Sequence, residues 1–184
     1  MNLVPYHRLG HVMGQLAQDG ALAALIGGNL FGRVAMHPAL ADVSDPSERG
    51  QVLNHAWRRY GNINSLALVA LVSGWMSTRG DETAPLWTSP RRRGLVVAKD
   101  IAVGAVVLTG LASAAGGVGF AQQATDGAVP MTDGSEPAPS TPPRARSLKR
   151  AENVFGALNL AAELTLLGVN ALLSRHASRH LVAR

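Results

Sequence analysis

Apolar residues along the chain collect into four blocks separated by polar connectors. The blocks cover residues 9–40, with the purest stretch at 20–32, then 61–78, 101–123 and 153–174. A helix that crosses the ~30 Å hydrocarbon core of a bilayer needs about 20 apolar residues. The run at 101–123 carries no formal charge and meets this length outright. The other blocks meet it only if their polar residues face the interior of a helix bundle.

This pattern predicts an all-α fold, namely an integral membrane four-helix bundle. We expect a single domain over residues 1–184, with spans at about 9–36, 61–78, 95–120 and 151–174, and a multi-pass location in the cell membrane. A soluble four-helix bundle is the alternative. The uninterrupted apolar run at 101–123 argues against it, because a helix of a soluble bundle has a polar face.

The connectors contain helix-start and loop signals. Asp45 before Pro46 predicts the start of a helix, since Asp is a preferred N-cap and Pro suits the first helical position. Residues 48–60 are then typical of a short interfacial helix leading into the second span. The connector at 124–150 contains five Pro together with Gly, Ser, Asp and Glu. This composition predicts a long, disordered and flexible loop before the fourth helix.

Composition and charge narrow the classes of function. The chain has no Cys, which excludes disulfide frameworks and thiolate metal sites. Its 20 Gly suit close helix packing, and Gly28-x-x-x-Gly32 matches the small-residue packing motif. The net charge of +5 comes from Arg residues that flank apolar blocks, so no nucleic-acid partner is predicted. Four spans place both termini on one side, and the run Arg91-Arg92-Arg93 favours the cytoplasm for that side.

Polar residues within the blocks share helical faces. In the first block this face carries His7, His11, Gln15, Gln18 and Asn29, with Asp19 at its edge; in the fourth it carries Glu152, Gly156, Asn159, Glu163 and Asn170. At ~1.5 Å per residue, Asp19 and Glu163 both lie roughly 15 Å from the membrane side that holds the termini. The sequence therefore predicts that the two carboxylates meet near the midplane, in a polar cavity that opens on the termini side.

Eight residues are the predicted lining of this cavity: Gln15, Gln18, Asp19, Lys99, Asp100, Asn159, Glu163 and Asn170. The amides among them could equally bond to one another and hold the helices together. The carboxylates favour a functional interpretation, because a charge inside a membrane is costly and tends to mark a working site.

Two histidine pairs have the spacing that places both imidazoles on one helical face, which metal-binding pairs require. They are His7 with His11, and His176 with His180, and we interpret them as metal-ligand candidates or as interfacial histidines at helix ends. His37 and the pair Asn54-His55 could line the opposite rim of the bundle. Trp57 and Tyr60 fit an aromatic belt at the membrane interface.

One stretch resembles a known family. Residues 27–60 contain Phe31, Met36-His37-Pro38-Ala39-Leu40 and Asn54-x-x-Trp57. This stretch is similar to a bacterial and fungal family of small four-helix membrane proteins that includes the anthrone-oxygenase-like proteins. The resemblance covers the first two spans. It implies a four-helix membrane fold and, in some members, oxidation of aromatic polyketides. No catalytic residue of the family can be matched to a position in this sequence.

Three functions fit this sequence. The first is a membrane-embedded binding, structural or accessory protein. The alternative is a membrane oxidoreductase that acts on a lipophilic or aromatic substrate in the polar cavity. The third is a proton or ion pathway through Asp19 and Glu163. The expected partners are the lipid bilayer, a small lipophilic ligand, and a membrane protein or a second copy of the chain. The cofactor is unknown, and a metal bound by histidines is the one type that the sequence suggests.

Overall fold

Four long helices make up the structure, a computed structural model that describes residues 4–83 and 90–182, with side chains at 9–80, 82 and 90–175. They are α1 (Val4–Phe31), α2 (Pro46–Thr83), α3 (Pro90–Ala121) and α4 (Pro143–Val182). Short helical turns follow α1 at Gly32–Met36, His37–Ala39 and Leu40–Asp42. The described residues form no strand. The predicted all-α fold with four helices is confirmed.

The bundle consists of two helical hairpins. α1 packs along α2, and α3 packs along α4, while fewer contacts join the two hairpins. A first hydrophobic core lies between all four helices, with Leu22, Leu71, Val106 and Leu166 almost fully buried. A second core lies beyond it, at the end away from the termini, and includes Leu53, Phe120 and Met131.

Within the part of the chain that the structure describes, two helices are long and apolar enough to cross a membrane, α3 over Pro90–Ala121 and α4 over Pro143–Arg175. Only 33% of each apolar window is buried inside the protein. The outer surface of the bundle therefore carries large apolar side chains on every helix. Among them are Leu16, Phe31, Leu66, Val69, Ile101, Leu108, Leu158 and Leu167.

The predicted interfacial helix is not a separate element. α2 runs without a break over its 38 residues, so residues 48–60 are its first turns and continue directly into the second apolar block. Gly61 at the junction lies inside this unbroken helix, and the neighbouring Tyr60 fixes it to α1 by donating to the carbonyl oxygen of Ala24. The predicted helix start is confirmed, since Oδ1 of Asp45 accepts the N–H groups of Ser47 at 2.7 Å and Glu48 at 3.1 Å.

The structure shows the predicted flexible loop at 124–150 as packed residues. Its last residues belong to α4, which begins at Pro143, and residues 124–142 form a packed segment that we call the strap. The side chains of Val129 and Met131 are buried in the second core. Arg49 donates to the carbonyl oxygens of Met131 at 3.2 Å and Thr132 at 2.9 Å. Apolar anchors and satisfied backbone groups thus offset the polar composition that suggested disorder.

Candidate functional site

A cavity of about 300 Å³ lies between the helices at the strap end of the bundle. This volume is at the lower end of the range of small-molecule sites, ~300–1,000 Å³. Its apolar walls come from Leu25, Leu53 and Phe120 and from several glycines. Its polar lining includes the following residues from α1, α2, α4 and the turns after α1: Asn29, Arg33, His37, Asn54, Asn64, Lys149, Glu152 and Asn159.

A chain of hydrogen bonds forms the inner end of the cavity. Nε of Arg33 donates to Oδ1 of Asn29 at 3.2 Å, and Nδ2 of Asn29 faces Oε2 of Glu163 at 3.5 Å. The other oxygen of Glu163 accepts from Asn159. The Thr109 hydroxyl completes the chain by donating to Oδ1 of Asn159 at 2.9 Å. The Glu163 carboxyl is thus held by two amides and is only 1% exposed.

A buried lysine lies on the wall that α4 contributes. Nζ of Lys149 lies 3.0 Å from Oε2 of Glu152 and 5.5 Å from the ring centroid of Phe120. The side chain of Lys149 is 1% exposed, which requires such a partner because an unpaired buried charge is costly. The positive charge of its ammonium group is therefore paired with the Glu152 carboxylate and stabilised by the ring face of Phe120.

Three rings form the opposite wall. Trp57 packs edge-to-face against both His37, at 6.0 Å between ring centroids, and Tyr60, at 5.9 Å. The Tyr60 hydroxyl donates to the carbonyl oxygen of Ala24 at 2.5 Å. Side chains at positions 28 and 32 would clash with these rings, so glycine at both positions lets the wall approach α1.

Two ring nitrogens of this wall are buried without a hydrogen-bond partner among the described residues, Nε2 of His37 and Nε1 of Trp57. Burial, together with the positive charges of Lys149 and Arg33, lowers the pKa of His37 to about 4. His37 is consequently neutral near pH 7, and its imidazole can serve as a neutral donor or acceptor.

The turn that carries Arg33 has an unusual backbone. Residues Gly32–Met36 form a π-helical turn directly after α1. Such turns are rare in proteins and occur frequently at functional sites. Here the turn ends the regular part of α1 where Arg33 and His37 both line the cavity.

Several predicted cavity residues belong instead to a polar layer at the termini end of the bundle. Nε2 of Gln18 donates to the Thr78 hydroxyl at 3.0 Å, and Nζ of Lys99 lies 2.6 Å from Oε1 of Glu82. Asp100 accepts from Trp75 Nε1 at 2.9 Å and pairs with Arg79 at 2.8 Å. These residues link neighbouring helices, as the alternative interpretation of the polar stripe predicted.

The predicted meeting of Asp19 and Glu163 is not observed. Asp19 is exposed, as is Gln15, whereas Glu163 is buried between Asn29 and Asn159. One residue turns a helix by ~100°, so burying Gln18 and Leu22 directs the neighbouring Asp19 outward. The cavity described above lies at the strap end and not on the predicted termini side.

Of the eight predicted lining residues, Asn159 alone lines this cavity, and Glu163 contacts its inner end. Asn170 is half-buried beyond the first core. Of the metal-ligand candidates, His11 is half-buried, and the side chains of His7, His176 and His180 lie outside the described residues. Among the side chains that the structure describes, no cluster of three or more His, Asp or Glu could hold a metal ion.

Sequence reasoning missed Arg33 and Lys149, and it placed Trp57 and Tyr60 in an interfacial belt. One available signal was the position of Arg33, which interrupts the first apolar block four residues before His37. Comparison of the chain with protein-family profiles, curated proteins and solved structures found no match.

Proposed function

We propose that this chain is a multi-pass membrane protein that binds a small amphiphilic molecule in the cavity at the strap end. The cavity itself carries the proposal: it combines apolar and aromatic walls with a few convergent polar groups, which is typical of ligand sites. Buried polar atoms that lack a protein partner, on His37 and Trp57, offer hydrogen bonds to such a ligand.

The outer surface supports a lipid environment. Leu66 is 71% exposed and Leu108 70% exposed, and similar residues recur along the described faces of all four helices. Monomeric soluble proteins rarely expose apolar patches larger than a few hundred Å². Lipid around the bundle accounts for this surface, and a lipophilic ligand dissolved in that lipid would be concentrated around the protein.

The proton-pathway hypothesis fits this arrangement less well. The polar layer around Gln18 and Lys99 is separated from Glu163 by the first core, in which Leu22, Leu71 and Val106 are almost fully buried. A proton path needs a continuous series of polar groups or waters, and this apolar layer interrupts it. The oxidoreductase hypothesis would use the same cavity, and the absorption spectrum and metal content of the purified protein distinguish it from binding alone.

Fluorescence quenching tests the proposal. The protein, with Trp57 as its sole tryptophan after Trp75→Phe and Trp87→Phe, is placed in lipid nanodiscs and titrated with 12-bromododecanol. Bromine quenches indole fluorescence at contact, so occupancy of the cavity gives saturable quenching that unbrominated dodecanol reverses. The observed quenching is compared at equal mole fractions of the alcohol in the lipid.

Glycine variants provide the matched control. Gly117→Leu fills the cavity, since a Cβ at Gly117 meets only the Glu152 carboxyl group, at 3.9 Å, and Gly61→Leu does the same from α2. Gly104→Leu lies on the same helix as Gly117, away from the cavity, with open space around its Cβ. We expect saturable quenching to persist in Gly104→Leu and to disappear in the other two. Quenching that rises linearly in all variants would mean simple partitioning into lipid and would overturn the proposal.

A further inference from the structure

The Arg33 guanidinium has unused hydrogen-bonding capacity inside the cavity. It carries five N–H donors, of which Nε donates to Asn29. No carboxylate of the described residues forms an ion pair with it. Glu152 is paired with Lys149, and both oxygens of Glu163 face amide groups.

From this geometry we infer that the ligand is an anionic amphiphile whose carboxylate is bound by Arg33, with its alkyl part between the apolar walls. The inference rests on the proposed function and adds the chemical class of the ligand. A guanidinium and a carboxylate are both planar, and two parallel hydrogen bonds fix their relative orientation.

The glycine at position 156 creates the space that this contact uses. A Cβ there would lie 2.8 Å from Nη2 of Arg33 and 3.5 Å from the Ser113 hydroxyl. The guanidinium therefore lies against the bare backbone of α4, and any larger residue would push it away. Gly156 is itself part of the cavity lining.

Two further donors lie on the aromatic wall of the same cavity. Nε1 of Trp57 is always a donor, and Nε2 of His37 is a donor in one of its neutral tautomers. Both atoms are buried and have no partner among the described residues. An anionic head group can accept from donors of this kind, whereas a cationic head group cannot.

The carboxylates near the site do not reverse the preference for an anionic head group. Asp133 of the strap faces His37, but its Oδ1 accepts the N–H groups of Ser135 at 2.6 Å and Glu136 at 2.9 Å. Glu163 balances Arg33 through Asn29 and lies behind that amide. Arg33 is thus a charged lining residue whose positive charge has no directly paired carboxylate among the described residues.

The test compares two ligands that differ only in their head groups. 12-Bromododecanoate and 12-bromododecanol are titrated separately against the Trp57-only protein in zwitterionic nanodiscs, at a pH of about 9 that ionises the acid. Ligand concentrations are again expressed as mole fractions in the lipid. We expect the acid to bind more tightly than the alcohol by about tenfold or more, as a charge-assisted hydrogen-bond pair provides.

Variants assign this preference to Arg33. Arg33→Gln is expected to weaken binding of the acid by about tenfold or more and to leave binding of the alcohol nearly unchanged. Gly156→Ala displaces the guanidinium without removing its charge and serves as a second variant, with the same direction expected. Arg59→Gln removes one positive charge from an exposed position outside the lining and should change neither affinity.

Each outcome decides a separate point. Equal affinities for the acid and the alcohol, or equal weakening of both by Arg33→Gln, would overturn the anion inference and leave the proposed cavity function intact. A loss in Arg59→Gln as large as that in Arg33→Gln would also overturn it, because the attraction would then come from general surface charge. If neither ligand saturates, the proposed function itself fails.

Discussion

At the scale of single residues, His37 shows how the cavity environment sets a protonation state. The imidazole is half-buried against Trp57 at the end of a π-helical turn. Burial is the largest cause of its lowered pKa, the charges of Lys149 and Arg33 add to it, and Asp133 opposes it. The neutral ring therefore belongs to the folded state, whereas an unfolded chain would protonate it near pH 6.5.

This difference predicts a pH-dependent stability. Between a pH of about 6.5 and a pH of about 4 the unfolded state binds a proton that the folded state does not, so stability falls as the pH is lowered through this window. Thermal unfolding in a non-ionic detergent, followed by circular dichroism, measures the effect. His37→Phe keeps an aromatic ring against Trp57 and should flatten the dependence. Identical pH profiles for both proteins would contradict the assignment to His37.

At the scale of elements, the strap and the first turns of α2 form one packed unit. The N–H group of Met131 donates to the carbonyl oxygen of Pro46 at 2.9 Å, and Arg49 holds the carbonyl oxygens of Met131 and Thr132. The backbone of the strap passes so close to α2 that a Cβ at Gly50 would lie 2.0 Å from the Val129 carbonyl oxygen. Backbone atoms cannot move aside as a flexible side chain can, so this contact requires glycine.

Gly50→Ala is therefore expected to displace the strap and to destabilise the protein by ~1–3 kcal/mol, the usual cost of overpacking. Gly61→Ala is the matched control, because Gly61 lies in the same helix as Gly50 and a Cβ added there would have no neighbour within 4 Å. It should be neutral or stabilising by up to ~1 kcal/mol. Limited proteolysis reads out the strap directly: faster cleavage within residues 124–142 is expected in Gly50→Ala alone. Equal protection in both variants would show that the strap is not held by this contact.

At the scale of the whole molecule, helix length and surface chemistry separate two regions. At ~1.5 Å per residue, the 38 residues of α2 span roughly 57 Å, well beyond the ~30 Å apolar thickness of a bilayer. The polar strap and the second core lie at one end of this length. For the proposed multi-pass membrane protein, we expect lipid to surround the apolar part of the bundle and the strap end, with the cavity, to reach the interface.

Cysteine labelling tests this division in a chain that has no native Cys. Leu66→Cys and Leu108→Cys replace highly exposed apolar residues, and Ser140→Cys replaces an exposed residue of the strap. A maleimide reacts with the thiolate, which forms in water and not in hydrocarbon. In native membranes we expect a water-soluble maleimide to label position 140 and to leave positions 66 and 108 unlabelled. After solubilisation in sodium dodecyl sulfate and heating, all three should react. Rapid labelling at 66 and 108 in membranes would instead support the soluble bundle.

The sequence by itself determined the elements of this protein. Long apolar blocks separated by connectors that contain Pro predict long helices. Asp45 with Pro46 marks the start of α2. The shared face of Asn159 and Glu163 was also readable, because residues four apart in a helix lie on one side. Such signals are local, and neighbouring residues are sufficient to produce them.

Only the tertiary structure decided how these elements meet. Gln18 is buried and its neighbour Asp19 is exposed, because adjacent residues of a helix face different sides. Packing against α2 decides which side of α1 is buried. Arg49 and the second core hold the strap, although its composition resembles that of disordered chains. Arg33, His37, Trp57 and Lys149 come from different helices and turns, and they converge at the strap end because of how the two hairpins pack. Periodicity along one helix carries no information about its neighbour, so the position of the cavity follows from long-range contacts alone.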